Sequence, residues 1–190
     1  MSIVVFDTSM SLDGYMTAAG RTPEEPMGPG GLQLVAWVSD AAYLERNIAT
    51  LGAVIAGRVT YDTSVAWWGP DGPSGPARRP TFVVTHQAPE RSPDGGVYHF
   101  VTDGIESALR QARAAAGDKI VTIMGGADLG RQYLAAGLVD ELSIHLAPVL
   151  FGSGTPMFQP LDMGHVQLEL VETIGSPQGV HLRYRIVKDA

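Results

Sequence analysis

The sequence predicts an α/β protein of three layers, in which helices cover both faces of a mixed, mostly parallel sheet with an antiparallel C-terminal hairpin. Through most of the chain, short apolar runs typical of buried strands alternate with segments that have helix caps and apolar stripes. After residue 149 no further helix is indicated. Two stretches of alternating apolar and polar residues follow instead, joined by a turn at 175–179, which is the pattern of a half-buried hairpin.

Length and composition narrow the class of protein further. A chain of 190 residues, 45% of them hydrophobic, predicts one domain spanning residues 1–190. The absence of cysteine excludes disulfides and thiolate metal sites. The net charge of −7 argues against nucleic acid as the main partner, and no apolar run reaches the ~18 residues that a membrane span needs. We therefore expect a cytoplasmic protein that binds a small molecule, without nucleic acid or membrane partners.

The first part of the chain is expected to contain two strands, a helix and a long loop. Residues 3–8 are the first buried strand. A Gly- and Pro-rich loop from about 11 to 35 follows, and loops of this length in compact domains usually have a function. Ser39 is predicted to cap a helix that ends at Gly52. The next strand, 53–56, leads directly into another helix.

The remaining elements continue the alternation until the hairpin. Asp103 and Glu106 have the spacing of a capping box, with Asp in the cap role, for a helix that ends near Gly117. After a second Gly- and Pro-rich loop at 67–80, the predicted elements are strands at 81–85, 97–101, 119–124 and 141–149, a helix at 127–136 stopped by Gly137, and hairpin strands at 166–170 and 180–186.

The most informative motifs are two glycine-containing turns, each between a strand and a helix. Gly57 would let a phosphate approach the backbone, Arg58 adds a permanent cation with a fork of donors, and Thr60 adds a hydroxyl. Gly125 and Gly126 end a later strand, where bare N–H groups and a helix N-terminus can also hold an anion. Two such sites in one small domain predict a ligand with separate phosphates, and a dinucleotide is the simplest candidate.

These motifs also have purely structural explanations. The first turn fits an ordinary strand-to-helix connection with a solvated arginine, and the second fits close packing of a helix on a strand. Residues 126–130 do not match the G-x-G-x-x-G fingerprint, so the evidence for an ordinary Rossmann site is weak. Thr85 and His86 follow the third strand and could donate to a phosphate on an adenosine ribose, although a lone histidine there is more often a surface residue.

Asp40 is the candidate catalytic residue. It lies four residues before Leu44 and so shares the apolar stripe of its predicted helix. A carboxylate in that position would face inward and be desolvated, which suits proton delivery or polar anchoring of a substrate. An aspartate in a first turn also complements the helix dipole, so a structural role stays open.

Several other chemistries lack the residues they need. The chain has no H-x-E with P-C-x-x-C, which excludes zinc-dependent deamination. Its five histidines stand apart in the sequence, without HExxH or another metal spacing, and neither a G-x-S-x-G elbow nor a Walker lysine is present.

In the order of its motifs, the chain resembles the dihydrofolate-reductase fold, and most of all the reductase domain of the riboflavin-pathway bifunctional deaminase-reductase. The resemblance covers nearly the whole chain. It is carried by Ser11-Leu12-Asp13-Gly14 after the first strand, Gly57-Arg58-x-Thr60-Tyr61 after the second, Gly125-Gly126 after the fifth, and 138–142 (LVDEL) leading into 148–152 (PVLFG).

The resemblance implies a reductase with NADPH as its cofactor. In that family, the residues matching Gly57, Arg58 and Thr60 hold phosphates, and those matching Thr85 and His86 lie near the adenosine 2′-phosphate. The residues that would lie along the pyrophosphate and the nicotinamide are Gly125, Gly126, Ala127, Asp128 and Leu129.

The resemblance also bears on the substrate. Residues 40–47 (DAAYLERN) are similar to the helix that carries the acidic residue of folate reductases, and Asp40 falls on that acid. The loop at 15–35 lacks the tryptophan-proline pattern of folate reductases, and Ala127 stands where they often have a third glycine. The riboflavin-type branch is therefore favoured over folate.

The predicted function is hydride transfer from NADPH to a C=N or C=O carbon of a small heterocyclic or sugar-phosphate substrate, as in 5-amino-6-(5-phosphoribosylamino)uracil reductase. Two alternatives stay open, namely a pteridine reductase of the dihydrofolate-reductase type and a non-catalytic, dimeric NADPH-binding module. The resemblance further implies a homodimer that pairs through its C-terminal strands.

Overall fold

The computed structural model describes residues 2–158 and 164–188. Its strands are β1 (Val4–Ser11), β2 (Tyr15–Ala18), β3 (Leu51–Gly57), β4 (Thr81–Val84), β5 (Tyr98–Val101), β6 (Ile120–Met124), β7 (Glu141–Ala147), β8 (Gly154–Pro156), β9 (Leu168–Ser176) and β10 (Gly179–Ile186). Its helices are α1 (Ala41–Thr50), α2 (Arg58–Trp68), α3 (Ile105–Ala116) and α4 (Ala127–Ala135), and shorter 3-10 segments cover Gly31–Ser39 and Gly69–Ala77.

Eight strands form the main sheet, in the order β5-β4-β3-β6-β1-β7-β10-β9. The neighbours from β5 to β7 pair in parallel, and β10 pairs antiparallel with both β7 and β9. The α/β class, the mostly parallel sheet and the antiparallel C-terminal hairpin are therefore confirmed. The parallel strands bring their carboxyl ends to one edge of the sheet, where ligands bind in open α/β folds.

One face of the sheet packs against α3 and α4 to form the hydrophobic core. Phe6, Ile55 and Ile123 point to this face and are almost completely buried. Gly130 of α4 lies directly on Phe6, where a Cβ atom would overlap the phenyl ring. The lack of a side chain at this position therefore allows α4 to approach β1 closely.

The opposite face is more polar near β1, β7 and β10. Because side chains alternate along a strand, Asp7 points away from the face that contains Phe6. Helix α1 lies on this side and has no fully buried residue, although Leu44 and Ile48 are half-buried. Its apolar stripe is thus covered only in part.

Three local predictions were wrong. Asp40, and not Ser39, caps α1, because the Ser39 hydroxyl donates instead to the carbonyl of Ala36 at 2.8 Å. Helix α3 begins after Gly104, which has no side-chain capping bond, so Asp103 does not cap it. The loop predicted at about 11–35 contains β2, which pairs with β8 far along the chain.

Candidate active site

The two glycine-containing turns lie side by side at the carboxyl edge of the sheet. Strands β3 and β6 are parallel neighbours with Ala56 opposite Met124, so the glycines that follow them occupy the same edge. Thr60, in the first turn, lies beside both glycines of the second turn. A Cβ atom built on Gly125 would lie 3.4 Å from the Thr60 hydroxyl oxygen, and one built on Gly126 would lie 3.3 Å from it. We call the adjoining turns, residues 57–60 and 125–129, the glycine rim.

Two helices begin at the glycine rim without a side-chain cap. Gly57 precedes α2 and Gly126 precedes α4, and neither helix has a side-chain hydrogen bond at its N-terminus. Gly125 and Gly126 have φ angles of 59° and 70°, a conformation that side-chain-bearing residues rarely adopt. The first-turn N–H groups and the positive ends of both helix dipoles therefore meet at one place, which suits a ligand with two phosphates.

The predicted residues of the second turn contribute mainly backbone. The side chains of Ala127 and Leu129 are buried in the core, whereas Asp128 is exposed and pairs with Arg131 on the same helix. A ligand at the glycine rim would therefore meet the N–H groups of this turn rather than its apolar side chains.

Arg58 joins the glycine rim to the segment after β4. Its Nε donates to both carboxylate oxygens of Asp62 at 2.8 Å, and its Nη1 donates to the carbonyl of Gln87 at 2.8 Å. The Thr85 hydroxyl donates to the same carbonyl at 2.8 Å. The structure thus brings Thr85 next to Arg58, although the two residues are far apart in the sequence, and His86, which follows Thr85, is exposed.

Asp40 is half-buried and accepts a hydrogen bond at the start of α1. Its Oδ1 accepts a hydrogen bond from the backbone N–H of Tyr43 at 3.1 Å. This is the capping role that an aspartate fills well at a helix N-terminus. Its catalytic role stays a prediction.

A buried polar cluster that the sequence analysis missed lies on the α1 side of the sheet. His145 of β7 and His181 of β10 face each other, with their Nδ1 atoms 2.7 Å apart. The Nε2 of His145 lies 3.2 Å from both carboxylate oxygens of Asp7 on β1. These three residues, which we call the Asp-His-His cluster, link three neighbouring strands through side chains.

Two aromatic rings cover this cluster. Trp37 stacks on His145 with ring centroids 3.9 Å apart, and Tyr43 stacks on His181 at 3.8 Å. The Trp37 indole N–H donates to the Ser9 hydroxyl at 3.0 Å, which fixes the ring over β1. The two imidazoles are almost completely buried.

The environment shifts the proton affinities of the cluster. Burial by itself would raise the pKa of Asp7, but the charge and hydrogen bond of His145, with smaller contributions from Ser143 and Arg183, hold it below its ordinary value. Burial, and then the charge of His145, lower the pKa of His181. Asp7 is therefore a carboxylate at neutral pH and His181 resists protonation.

The Asp-His-His cluster adjoins the glycine rim. Asp7 lies opposite Met124 in the parallel ladder, and its carbonyl accepts the N–H of Gly125 at 3.2 Å. The glycine rim and a buried carboxylate–imidazole chain thus occupy neighbouring strand ends. A signal for the cluster was present in the sequence, because Asp7 is a charged residue directly after the apolar run 3–6 of a buried strand.

The Ser-Leu-Asp-Gly turn has a structural role. Asp13 accepts hydrogen bonds from the Ser11 hydroxyl at 2.6 Å and from the N–H groups of Gly152 at 2.7 Å and Phe151 at 3.2 Å. The turn after β1 therefore holds the proline-glycine segment that follows β7.

The described residues contain neither a membrane-spanning helix nor a metal-binding group. Within residues 2–158 and 164–188, no helix is both long and apolar enough to cross a bilayer. Among the same residues, no group of three or more His, Asp or Glu side chains could hold a metal ion.

The fold and the glycine rim define a protein of the dihydrofolate-reductase-like α/β class. A family model described as the RibD C-terminal domain matches residues 2–182. The chain therefore belongs to the RibD C-terminal domain family.

The chain is also similar to a curated relative and to solved structures. The chain is 30% identical over 135 residues to the uncharacterized protein YwjB of Bacillus subtilis (strain 168), an alignment that covers 71% of this chain and 74% of the relative. RibD of Acinetobacter baumannii superposes with a TM-score of 0.68 at 20% identity, covering 99% of this chain and 59% of that one.

A more distant solved structure supports the same fold. Dihydrofolate reductase from Enterococcus faecalis, complexed with NADP(H) and RAB-propyl, superposes with a TM-score of 0.60 at 18% identity. That alignment covers 98% of this chain and 97% of the reductase.

Proposed function

We propose that this protein is an NADPH-dependent reductase of a small heterocyclic or sugar-phosphate substrate. The single observation that carries the proposal is the glycine rim, where two helices without side-chain caps begin beside each other at the carboxyl edge of the sheet. Membership of the RibD C-terminal domain family supports it. A bifunctional Thermotoga maritima neighbour, described as a deaminase and 5-amino-6-(5-phosphoribosylamino)uracil reductase, suggests the first substrate to test.

The residues at the glycine rim fit a dinucleotide. Gly57, Arg58 and Thr60 would hold one phosphate through backbone N–H groups, a guanidinium and a hydroxyl. Gly125 and Gly126, with the N–H groups of 127–129, would hold the pyrophosphate and bring the nicotinamide to the end of β6.

The segment after β4 fits the adenosine end of the same ligand. Arg58 and Thr85 lie together. With the neighbouring His86 they would hold a 2′-phosphate, the group that distinguishes NADPH from NADH. The bound nicotinamide would supply the hydride, while the protein binds and orients the two reactants.

The Asp-His-His cluster favours an enzyme over a non-catalytic binding module. Buried ionisable groups beside a ligand site are typical of catalysis and are costly in a protein that only binds. Asp40, half-buried near the cluster, is proposed to anchor a polar edge of the substrate.

The test is a titration with NADPH and NADH, followed by turnover. At 100 times its dissociation constant, NADPH should stabilise the protein by roughly 2.7 kcal/mol. NADPH should then be consumed with 5-amino-6-(5-phosphoribosylamino)uracil or dihydrofolate, and the ratio of rates decides between the riboflavin-type and folate-type activities. An unchanged thermal midpoint with saturating NADPH would refute the proposal.

The cofactor preference has its own matched pair of variants. Arg58→Ala should weaken NADPH more than NADH if the guanidinium contacts the 2′-phosphate. Arg185→Ala is the control, because Arg185 lies opposite Glu141, at the other end of β7 from the glycine rim. Equal losses for NADPH and NADH in Arg58→Ala would place the 2′-phosphate elsewhere.

We also propose a homodimer that forms through the C-terminal hairpin. β9 is an edge strand and exposes Leu168, Leu170 and Val171, with Leu170 at 61%. Exposed edge strands with apolar side chains are sites of association between chains.

A further inference from the structure

We propose that Asp7 delivers the proton in the reduction, with His145 and His181 behind it as positioning residues and proton reserve. The inference rests on the proposed reductase function and deepens it. The Asp-His-His cluster adjoins the glycine rim, because Gly125, where the nicotinamide would lie, donates its N–H to the Asp7 carbonyl.

The residues of the Asp-His-His cluster are buried to different extents. The side chain of His145 is 2% exposed, whereas that of Asp7 is 19% exposed. Asp7 is therefore the most accessible residue of the cluster. The imidazole of His145 is held between Asp7 and His181, out of contact with solvent.

The geometry permits one shared proton to move along the cluster. Because Asp7 is a carboxylate, the Nε2 of His145 carries a hydrogen. The two Nδ1 atoms at 2.7 Å can have only one hydrogen between them, which resides on either His145 or His181. With the hydrogen on His145, that ring is an imidazolium between a carboxylate and a neutral imidazole.

The far end of the cluster is an unpartnered buried atom. The Nε2 of His181 is buried and has no hydrogen-bond partner among the described residues. An orphaned polar atom of this kind costs folding free energy and is uncommon unless it serves a function. When the shared hydrogen resides on His145, a neutral His181 carries its own hydrogen on this Nε2.

A narrow cleft beneath α1 can return the proton. It has a volume of about 50 Å³ and reaches Asp7 between Asn47, Thr122 and Arg183. Ligand pockets are usually several hundred Å³, so this cleft admits water and not a nucleotide.

Other charged and titratable groups surround the cluster on each side. They are Asp40, Tyr43 and Arg46 from the α1 side, Glu172 on β9 and Arg183 on β10. The charge of Asp40 raises the proton affinity of His181, whereas Arg183 favours the ionised form of Asp7.

The proposed reduction balances in atoms and electrons with NADPH as the reductant. The substrate carbon accepts a hydride from the reduced nicotinamide, and the electron pair of its C=N or C=O bond moves to the heteroatom. The imidazolium of His145 passes its Nε2 proton to the Asp7 carboxylate, which passes a proton to the heteroatom, so Asp7 is a carboxylate before and after the step. The cluster is left with one proton fewer and regains it from water in the cleft.

The first experiment records the ring nitrogen signals of His145 and His181 by NMR as a function of pH, with NADPH, with NADP⁺ and with 2′,5′-ADP. The oxidised nicotinamide adds one positive charge. Because a nearby positive charge disfavours protonation, the pair should titrate at a lower pH with NADP⁺ than with NADPH. The probe 2′,5′-ADP, which has no nicotinamide, should leave the titration unchanged.

This comparison separates failure of the inference from failure of the proposed function. If NADPH and NADP⁺ bind but the histidine titrations coincide, the cluster is remote from the nicotinamide and the inference is overturned, while the reductase proposal stands. If neither nucleotide binds, both are overturned.

The second experiment uses variants. Asp7→Asn should lower kcat at least 100-fold, the size of a general-acid contribution, and leave the NADPH dissociation constant within twofold. His181→Gln should shift the pH at which kcat falls, which a purely structural role would not do. Asp118→Asn, an exposed residue between α3 and β6, is the control. An Asp7→Asn protein that folds and keeps most of its kcat overturns the inference. If that variant does not fold, the NMR comparison on the unaltered protein decides.

Discussion

His145 and His181 occupy directly opposed positions in the ladder between β7 and β10, and this pairing joins two residues that are 36 positions apart in the chain. Neither histidine has a metal or catalytic spacing in the sequence. Their contact arises because the antiparallel hairpin returns β10 to the edge of β7 in this register. A one-residue slip would turn His181 to the opposite face of the sheet.

The first prediction concerns pH and stability. Burial, and then the charge of His145, lower the pKa of His181 from its ordinary 6.5 in the folded state. The unfolded chain therefore binds more protons just below pH 6.5, and stability is lost as pH falls from that value toward the folded pKa. Urea unfolding between pH 5 and 8 should show a steeper acid loss in the unaltered protein than in His181→Gln. Parallel curves would mean that His181 titrates alike in both states.

The second prediction separates backbone strain from ligand contact at the glycine rim. Gly126→Ala and Gly137→Ala both place a side chain at positive φ, 70° and 66°. Each should lower the free energy of unfolding by about 1–3 kcal/mol. Only Gly126→Ala adds a methyl group 3.3 Å from the Thr60 hydroxyl oxygen, whereas Gly137 faces open space. NADPH affinity, measured by calorimetry, should fall in the first variant alone. Equal affinities would show that the ligand does not approach Gly126.

The third prediction concerns Asp40. Asp40→Ala should lower the free energy of unfolding by about 1 kcal/mol, because it removes the acceptor for the Tyr43 N–H. Asp40→Asn should retain most of the stability, since Asn caps helices equally well. Turnover of the two variants then tests the proposed anchoring role. Loss of turnover in Asp40→Asn at unchanged stability and NADPH affinity would support that role, and full turnover would restrict Asp40 to capping.

The fourth prediction concerns assembly. Leu170→Glu places a charge on the exposed side of the edge strand β9, where a second chain is proposed to pack. Sedimentation should find a dimer for the unaltered protein and a monomer for the variant. The control is Leu150→Glu, because Leu150 is 68% exposed and lies after β7, outside the hairpin. A dimer that survives Leu170→Glu would place the interface on another surface.

The sequence by itself determined the fold class, the positions of the glycine turns and the approximate bounds of most helices and strands. These features depend on hydrophobic periodicity and on glycine at strand ends, which are local properties. The tertiary structure decided how Thr60 meets Gly125 and Gly126, how Arg58 reaches Gln87 beside Thr85, and how Asp7 contacts His145. Each of these contacts depends on which strands are neighbours and in which register. Neighbour order and register result from packing across the whole sheet, so a single stretch of sequence cannot encode them.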